Sequence, residues 1–274
     1  MANLDYDVIV VGSGPAGLTA GSALARAGRN TLVLERDVYG GALQHIDRIA
    51  DYSRYPEGIT GADLATALLD ESTAASVILD QAEVTGVEVF SRSRFVATSE
   101  GRGLSCSVVI LAGGARFQSL GLPAETRLRG RGVIDCTPCD AGFYVGKPVV
   151  VVGSGAYAER DARYFTVMGA DVRLLPSVDA ILGDERVEGV MYRAEKVSAA
   201  GIAVRIGTQP NTEWVSDLVD LDSEARIPVS ASMETEVRYV LAVGDLRSGS
   251  PRTVAAAVAD GQAAAERALA LLTG

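Results

Sequence analysis

The chain has few of the residues on which metal binding and nucleophilic catalysis most often depend. Its 274 residues include three cysteines and one histidine, His45. So few cysteines and histidines argue against a zinc site or a Ser-His-Asp triad, and we predict no metal site. Basic residues are also scarce, because 25 lysines and arginines stand against 35 acidic residues and give a net charge of −10. A field of that sign repels phosphate backbones and anionic headgroups, and we expect no nucleic-acid partner.

Long apolar segments are missing as well. Runs such as residues 149–152 are far shorter than the roughly 20 residues needed to cross a bilayer, so we expect no membrane-spanning segment. Strand-like residues 6–11 follow Met1 closely, without a basic stretch or a small-residue cleavage site, which predicts a cytoplasmic protein. A hydrophobic content of 48% is typical of a globular chain, and the length favours two units or one domain interrupted by a smaller one.

The N-terminal region has the pattern of a dinucleotide-binding βαβ unit. We predict a strand over residues 5–11, a helix over about 15–28 and a strand over 31–35. The intervening turn satisfies G-x-G-x-x-G, and Glu35 follows at the expected distance of about 20 residues. Such glycines let the backbone approach a pyrophosphate, the helix N-terminus attracts it, and the acid accepts hydrogen bonds from ribose. The predicted site residues here are Gly12, Gly14, Pro15, Ala16, Gly17 and Glu35.

A second βαβ pattern begins near Lys147 and is incomplete. It comprises a predicted strand over 148–152, a glycine turn, a helix to Met168 and a strand over 171–175. Pro176 and Ser177 then stand where an acid or an arginine would hold the adenosine ribose or its 2′-phosphate. The stretch before the next predicted strand is too short for the dozen or so residues of a parallel crossover. We therefore predict a truncated second nucleotide fold.

Cys136 and Cys139 form a C-x-x-C motif, which in a cytosolic α/β chain indicates a redox-active dithiol. The third cysteine, Cys106, lies in an apolar strand, where we expect an inert small side chain. Asp140 follows the pair directly and is a candidate for moving protons while thiolates form and leave, although an acid there could instead begin a helix. The candidate catalytic residues are Cys136, Cys139 and Asp140.

In this order the motifs resemble those of the low-molecular-weight thioredoxin reductases over nearly the whole chain. The matching segments are residues 12–17 with Glu35, 40–41, 55–61, 110–115, 120–123, 130–140, 207–212 and 243–245 with Arg252. The resemblance implies an α/β fold of two Rossmann-like, three-layer domains, and a homodimer. An FAD-binding domain at 1–115 and 240–274 would be interrupted by a smaller, truncated NAD(P)-type domain at 116–239 that carries the C-x-x-C motif.

The resemblance also implies bound FAD and extends the predicted cofactor site. Asp245 would bind the ribityl chain, and a C-terminal helix predicted from about Arg252 to Leu272 would direct its dipole at the flavin. Two positions depart from the family pattern, because Ala42 replaces the glutamine of G-G-Q and Thr253 replaces the glutamine after the clamp arginine. The further residues assigned to this site are Gly41, Ala42, Gln44, Asp51, Val84, Ala112, Gly113, Gly244, Asp245, Arg252, Thr253 and Val254.

The family's H-R-R-x-x-x-R element, which holds the 2′-phosphate of NADPH, has no counterpart after Leu175. We therefore doubt that NADPH is the direct donor. The leading hypothesis is an FAD-dependent thiol-disulfide oxidoreductase acting on a thioredoxin-like or other protein disulfide. A ferredoxin-type electron donor would need a local basic patch such as Arg127, Arg129 and Arg131, and the alternative is that these arginines are merely a solvated loop. The alternatives are a small-molecule dithiol oxidase that uses O2, an ordinary NADPH-dependent thioredoxin reductase, and a non-catalytic flavin-binding sensor.

Overall fold

The structure, a computed structural model, describes residues 4–273 as a mixed α/β protein. Its strands are β1 (Tyr6–Val11), β2 (Thr31–Glu35), β3 (Ile78–Gln81), β4 (Val84–Val89), β5 (Arg94–Thr98), β6 (Gly103–Leu111), β7 (Ala115–Phe117), β8 (Val133–Ile134), β9 (Pro148–Val152), β10 (Asp171–Leu175), β11 (Ala180–Leu182), β12 (Gly189–Tyr192), β13 (Glu195–Ser198), β14 (Gly201–Val204), β15 (Thr208–Pro210) and β16 (Val240–Ala242). Its α-helices are α1 (Pro15–Arg26), α2 (Gly61–Ala74), α3 (Pro123–Arg127), α4 (Thr137–Asp140), α5 (Ala156–Val167) and α6 (Val254–Thr273). Residues 1–3 and 274 of the predicted FAD domain lie outside the described residues.

The chain divides into two compact units. The first combines the residues up to Ala115 with those from Pro210 onward, and the residues between them form the second. The chain thus returns to the first unit at Pro210 rather than at the predicted residue 240. The physical reason is packing, because Val215, Val219 and Ile227 are buried in the same hydrophobic cluster as residues of β1 and β6.

One large sheet organises the first unit. Its strand order is β3-β2-β1-β6-β5-β4, and β16 also pairs with β6. Strand β6 pairs with β1 on one side and is long enough for two partners on the other, since Gly103–Cys106 pair with β5 and Val109–Leu111 pair with β16. The strands β1, β2, β6 and β16 are parallel, so their carboxyl ends meet at one edge. Ligands of α/β sheets bind at that edge.

The alanine-rich C-terminal segment forms α6, which confirms the predicted helix. Small residues let it pack closely on α1, because a Cβ atom on Gly261 would lie only 2.3 Å from the carbonyl oxygen of Ala16. Ala264, Ala265 and Ala268 on α6 are buried in the same cluster as α1. In the part of the chain that the structure describes, neither α6 nor any other helix has the length and apolar character to span a membrane.

The second unit has a small parallel sheet and an antiparallel meander. The sheet has the order β10-β9-β14-β8, and the meander has the order β11-β12-β13. Within the described residues no strand pairs with the outer side of β10, and the chain enters β11 only a few residues after β10 ends. The helix and strand that would continue the nucleotide fold are therefore missing here, as the sequence predicted. Strands β7 and β15, where the chain passes between the units, pair with each other.

Candidate functional site

The three glycines of the first turn have three different environments. Gly12 has a φ of +109°, and a Cβ atom there would lie 2.3 Å from the carbonyl oxygen of Ala112. A Cβ atom on Gly17 would lie 1.9 Å from the carbonyl oxygen of Gly12, so any side chain would push α1 away from the turn. At Gly14, by contrast, no described atom lies within 4 Å of the Cβ position. The surface before Gly14 is therefore open, as close approach of a pyrophosphate requires.

Helix α1 begins directly behind this opening. Gly14 is its N-cap, Pro15 occupies its first turn, and no side chain among residues 4–273 caps its free N–H groups. Ala16 is buried against the sheet and anchors that first turn. Because the first N–H groups of a helix have no partner inside the helix, they favour an anion at this position.

Glu35 ends β2 and fastens the glycine turn. Its Oε2 atom accepts hydrogen bonds from the backbone N of Ser13 at 2.9 Å and from Ser13 Oγ at 2.6 Å, and its Oε1 atom accepts one from the backbone N of Asp37 at 3.0 Å. A carboxylate has about four acceptor positions, so a ribose hydroxyl can still bind. Ser13 was not predicted as a site residue, although its place inside the glycine motif was the available signal.

The predicted flavin-side loop lies against the same turn. A Cβ atom on Gly41 would lie 3.6 Å from the Cα atom of Gly14. Ala42 is exposed, and the Nε2 atom of Gln44 donates to the carbonyl oxygen of Tyr39 at 3.0 Å. Residues 41–44 thus form a rim beside the opening at Gly14.

For two further predicted cofactor residues, Asp51 and Val84, the structure shows no side-chain contact with the glycine turn among the described residues. Asp51 is exposed in the segment before α2. Val84 is buried, and its side chain belongs to a hydrophobic cluster of the first unit. Only the main chain of Val84 is therefore available to a ligand.

Ala112 and Gly113 follow β6 at the carboxyl edge of the sheet. The backbone N of Ala112 donates to the carbonyl oxygen of Val11 at 2.8 Å, which extends the pairing of β1 and β6. The carbonyl oxygen of Gly113 accepts from Asn211 Nδ2 at 2.8 Å. Asn211, just after the chain re-enters the first unit at Pro210, thereby holds the backbone at Gly113 in place.

The turn at Gly244 and Asp245, the C-terminal clamp, depends on a residue that was not predicted from the sequence. Asp260 on α6 is only 4% exposed. Its Oδ2 atom accepts from the backbone N of Gly244 at 3.0 Å and from Arg247 Nε at 2.7 Å, while Oδ1 accepts from Arg247 Nη2 at 2.8 Å. Gly244 has a φ of +75°, and a Cβ atom on it would lie 3.3 Å from the Cβ atom of Ala16. Asp260 therefore fixes the clamp turn beside the start of α1.

Asp245 follows this turn, and burial raises the pKa of its carboxyl group above the ordinary value. Arg252 is exposed, with Nη2 3.7 Å from Glu224 Oε2. Thr253 Oγ1 accepts from the backbone N of Ala256 at 3.2 Å, so Thr253 is the N-cap of α6. Helix α6 begins at Val254, two residues after the predicted start.

Within the first unit, three separate segments therefore surround the Gly12–Gly17 turn. Gly41 lies beside Gly14, Ala112 beside Gly12, and Gly244 beside Ala16. The open face at Gly14, the uncapped start of α1 and the carboxylate of Glu35 together fit the diphosphate and ribose of a dinucleotide such as FAD.

The redox pair lies in the second unit and forms a disulfide. The Cα atoms of Cys136 and Cys139 are 5.3 Å apart. Cys136 is the N-cap of α4, and its Sγ atom accepts from the backbone N of Cys139 at 3.3 Å. Cys136 is 9% exposed, whereas Cys139 is exposed to solvent. Asp140 is the last residue of the four-residue α4 and also the N-cap of the 3₁₀ helix at Ala141–Tyr144, so the alternative of an acid that begins a helix stays open beside the proton-transfer role.

The third cysteine behaves as predicted. Cys106 is a free, fully buried cysteine in β6. Burial raises its pKa to about 12, which keeps the thiol protonated and unreactive. The described residues contain no cluster of three or more histidine, cysteine or acidic side chains that could hold a metal ion.

The second glycine turn lines a small cavity of about 260 Å³. Gly153, Tyr157, Pro176 and Arg205 are among its lining residues. The ring of Tyr157 packs edge-on against Phe117 at 5.5 Å between centroids. Among the described residues, Pro176 and Ser177 follow β10, so the end of this strand supplies no acid or arginine for an adenosine ribose or its phosphate.

An FAD-type dinucleotide site in one unit and a C-x-x-C disulfide in the other define a flavin-dependent disulfide oxidoreductase. Comparison with known proteins gives the same class. The chain belongs to the pyridine nucleotide-disulphide oxidoreductase family, whose model matches residues 6–204 and 176–261, and within it to the thioredoxin reductases.

Two curated relatives support this placement. The chain is 32% identical to the thioredoxin reductase of Mycolicibacterium smegmatis, with 97% of each chain covered. It is also 32% identical to the bifunctional thioredoxin reductase/thioredoxin of Mycobacterium leprae, of which it spans 64%, with 95% of this chain covered.

Solved structures show the same fold. The thioredoxin reductase of Lactococcus lactis has a TM-score of 0.89 at 28% identity, covering 98% of this chain and 99% of that one. A ferredoxin-flavin thioredoxin reductase of Clostridium acetobutylicum has a TM-score of 0.59 at 27% identity, covering 98% of both chains.

Proposed function

We propose that this protein passes electron pairs between FAD, the Cys136/Cys139 pair and the disulfide of a thioredoxin-like protein, and that NADPH is not its direct electron donor. The observation that carries the proposal is an accessible C-x-x-C disulfide in a unit whose nucleotide fold stops at β10. We further propose that it acts in the cytoplasm as a homodimer.

FAD would be held by the residues around the first glycine turn, and when bound it supplies a reversible two-electron store. The opening at Gly14 and the N–H groups of α1 would take the diphosphate, and Glu35 the ribose. Asp245 and the N-terminus of α6 after Thr253 are assigned to the flavin end. Because the pKa of Asp245 is raised by burial, a polar partner at that carboxyl group would relieve the cost of its charge.

Thiol-disulfide exchange needs a thiolate, and the second unit stabilises one. When the pair is reduced, the backbone N–H of Cys139 can donate to the sulfur of Cys136, which favours its ionised form. A thiolate of the pair attacks the substrate disulfide, giving a mixed disulfide and one substrate thiolate. The second cysteine then attacks the mixed disulfide, which releases the other substrate sulfur and re-forms the Cys136–Cys139 bond. Asp140 is the proposed group that moves the protons.

Two features support a donor other than NADPH. Strand β10 is an edge strand in the described sheet, and Pro176 follows it where a ribose contact is needed. A helix N-terminus alone can hold a phosphate but does not bind a whole dinucleotide firmly. A ferredoxin-type protein is the proposed donor, and a ferredoxin-flavin thioredoxin reductase is one of the solved structures that share this fold.

Two of the three arginines in the predicted basic patch make contacts within the second unit. Arg127 donates to the carbonyl oxygens of Gly183 and Asp184, and Arg129 lies 3.7 Å from Asp135. All three arginines remain exposed, and Arg131 is the one that needs no rearrangement of these contacts. An acidic carrier would therefore be received mainly by Arg131, with Arg127 contributing long-range attraction.

The test uses FAD-loaded protein reduced anaerobically and then mixed with the disulfide form of a thioredoxin. Cys136→Ser and Cys139→Ser should each abolish turnover and keep bound FAD, because exchange needs both sulfurs. Asp140→Asn should slow turnover about 10²-fold or more with unchanged flavin content. Cys106→Ser, the matched control, should be silent because that thiol is buried.

Full activity in either single-cysteine variant would disprove the dithiol mechanism. Oxygen consumption with a small dithiol, without reduction of the thioredoxin disulfide, would instead favour the dithiol oxidase.

A further inference from the structure

A buried ion pair lies in the second unit close to the redox segment. Arg205 follows β14 and is 4% exposed, and Asp161 on α5 is 2% exposed. Arg205 Nε donates to Asp161 Oδ2 at 2.6 Å. Arg160 donates to Asp161 Oδ1 through Nε at 2.9 Å and Nη2 at 2.7 Å. The Asp161 carboxylate thus faces two guanidinium groups, and the carboxylate of Asp135 also acts on Arg205.

The same guanidinium group binds the residues on both sides of Cys136. Arg205 Nη2 donates to the carbonyl oxygen of Asp135 at 2.9 Å and to Thr137 Oγ1 at 3.2 Å. Thr137 Oγ1 in turn donates to Asp161 Oδ2 at 2.7 Å. Asp135 precedes Cys136 directly and Thr137 follows it directly. The ion pair therefore holds the backbone at the redox-active cysteine.

The remaining contacts fix Arg205 in one position. Its Nη1 atom donates to the carbonyl oxygens of Val204 at 2.8 Å and Ile134 at 3.5 Å, and its guanidinium carbon lies 4.2 Å from the centre of the Phe117 ring. Burial lowers the pKa of Arg205, and the adjacent Asp161 opposes that shift. An arginine keeps its proton in such a pair, so the charge persists.

We infer that Arg205 and Asp161 are positioning residues that set the reduction potential of the Cys136–Cys139 pair. This inference rests on the proposed function, because it concerns the same cysteines. The positive charge of Arg205, bonded to the residues on both sides of Cys136, favours the Cys136 thiolate and with it the reduced form, which makes the pair more oxidising, and the negative charge of Asp161 acts in the opposite direction. The fork of hydrogen bonds also keeps Cys136 at the N-cap of α4, where its sulfur meets the backbone N–H of Cys139.

The two charges predict shifts of opposite sign. Arg205→Met removes positive charge and should make the pair less oxidising, whereas Asp161→Asn removes negative charge, keeps a similar shape and should make it more oxidising. We expect each to change the exchange constant about tenfold, which is about 30 mV for a two-electron couple. Arg205→Lys keeps the charge but loses the guanidinium hydrogen bonds to Asp161, Asp135 and Thr137, and should shift the reduction potential less. Arg163→Met, an exposed arginine on the same helix, is the matched control and should give none.

The measurement is equilibration of the FAD-loaded protein with dithiothreitol redox buffers at pH 7, followed by thiol trapping and mass analysis. In that exchange the Cys136–Cys139 bond breaks and two thiols form, while dithiothreitol gives up two electrons and two protons and closes to its cyclic disulfide. Near-ultraviolet circular dichroism and flavin content check folding. If Arg205→Met does not fold, Asp161→Asn and Arg205→Lys still give the sign and the size of the shift in reduction potential.

Several outcomes separate this inference from the proposed function. The double variant Arg205→Met/Asp161→Asn should return the potential towards that of the parent, because the two charge losses offset each other. Unshifted potentials, or shifts of equal sign in the single variants, would overturn the inference alone. A parent pair that does not exchange with dithiothreitol would overturn both the inference and the proposed function.

Discussion

Replacing Asp260 with alanine should both destabilise the protein and weaken its hold on FAD. The carboxylate accepts three hydrogen bonds, two from Arg247 and one from the backbone of Gly244, and the side chains of this pair are only 5% and 14% exposed. Breaking a buried ion pair by removing one partner costs about 3–5 kcal/mol. That loss is large beside a total unfolding free energy of about 5–15 kcal/mol. FAD affinity should fall about tenfold, or 1.4 kcal/mol, because the turn bearing Asp245 loses its anchor.

Urea unfolding and FAD titration of the same samples measure the two effects. The double variant Asp260→Leu/Arg247→Met removes both charges, and stability should recover because an apolar pair can replace a buried ion pair. FAD affinity should stay low, since the Gly244 N–H still has no acceptor. A loss of stability below about 1 kcal/mol in Asp260→Ala, or parental FAD affinity in the double variant, would refute this reasoning.

Two further predictions concern the two ends of the electron path. Glu35→Ala should weaken FAD binding by about 1–3 kcal/mol, the usual range for a hydrogen bond to a charged group. The measurement is FAD titration of this variant and of the control Glu83→Ala, which changes an exposed acid after β3. Equal FAD affinities of the two variants would contradict the prediction. Phe143 lies just beyond α4 and is 71% exposed. Phe143→Ala should raise KM for a protein disulfide several-fold, because exposed aromatic anchors often contribute more than about 1 kcal/mol to an interface. Turnover of a small aromatic disulfide should stay unchanged, and a parallel loss of both activities would contradict a docking role.

Local signals predicted much of the fold. The structure has β2 at Thr31–Glu35 and β10 at Asp171–Leu175, the bounds that the sequence indicated. Both strands follow a glycine turn and an amphipathic helix, and such short-range patterns identify βαβ units. The end of the second nucleotide fold was also predictable, because it depends only on the length of chain after Leu175.

Long-range contacts were not predictable in the same way. The segment after Pro210 has little regular structure, so no periodicity shows that Val215 and Ile227 join the core of the first unit. Asp260 resembles any helix acid until α6 packs on α1 and turns it towards Gly244. Arg205 had no motif to mark it, and its partner Asp161 lies 44 positions earlier in the chain.

Anaerobic reduction of the bound flavin tests the proposed electron path most directly. The FAD-loaded protein would be titrated in parallel with NADPH, NADH, dithiothreitol and a reduced ferredoxin, while the flavin absorbance is followed. We expect bleaching by dithiothreitol and by reduced ferredoxin, and only slow reduction by NADPH or NADH with an apparent affinity no better than millimolar, about −4 kcal/mol. Rapid bleaching by micromolar NADPH would contradict this and make the protein an ordinary NADPH-dependent thioredoxin reductase.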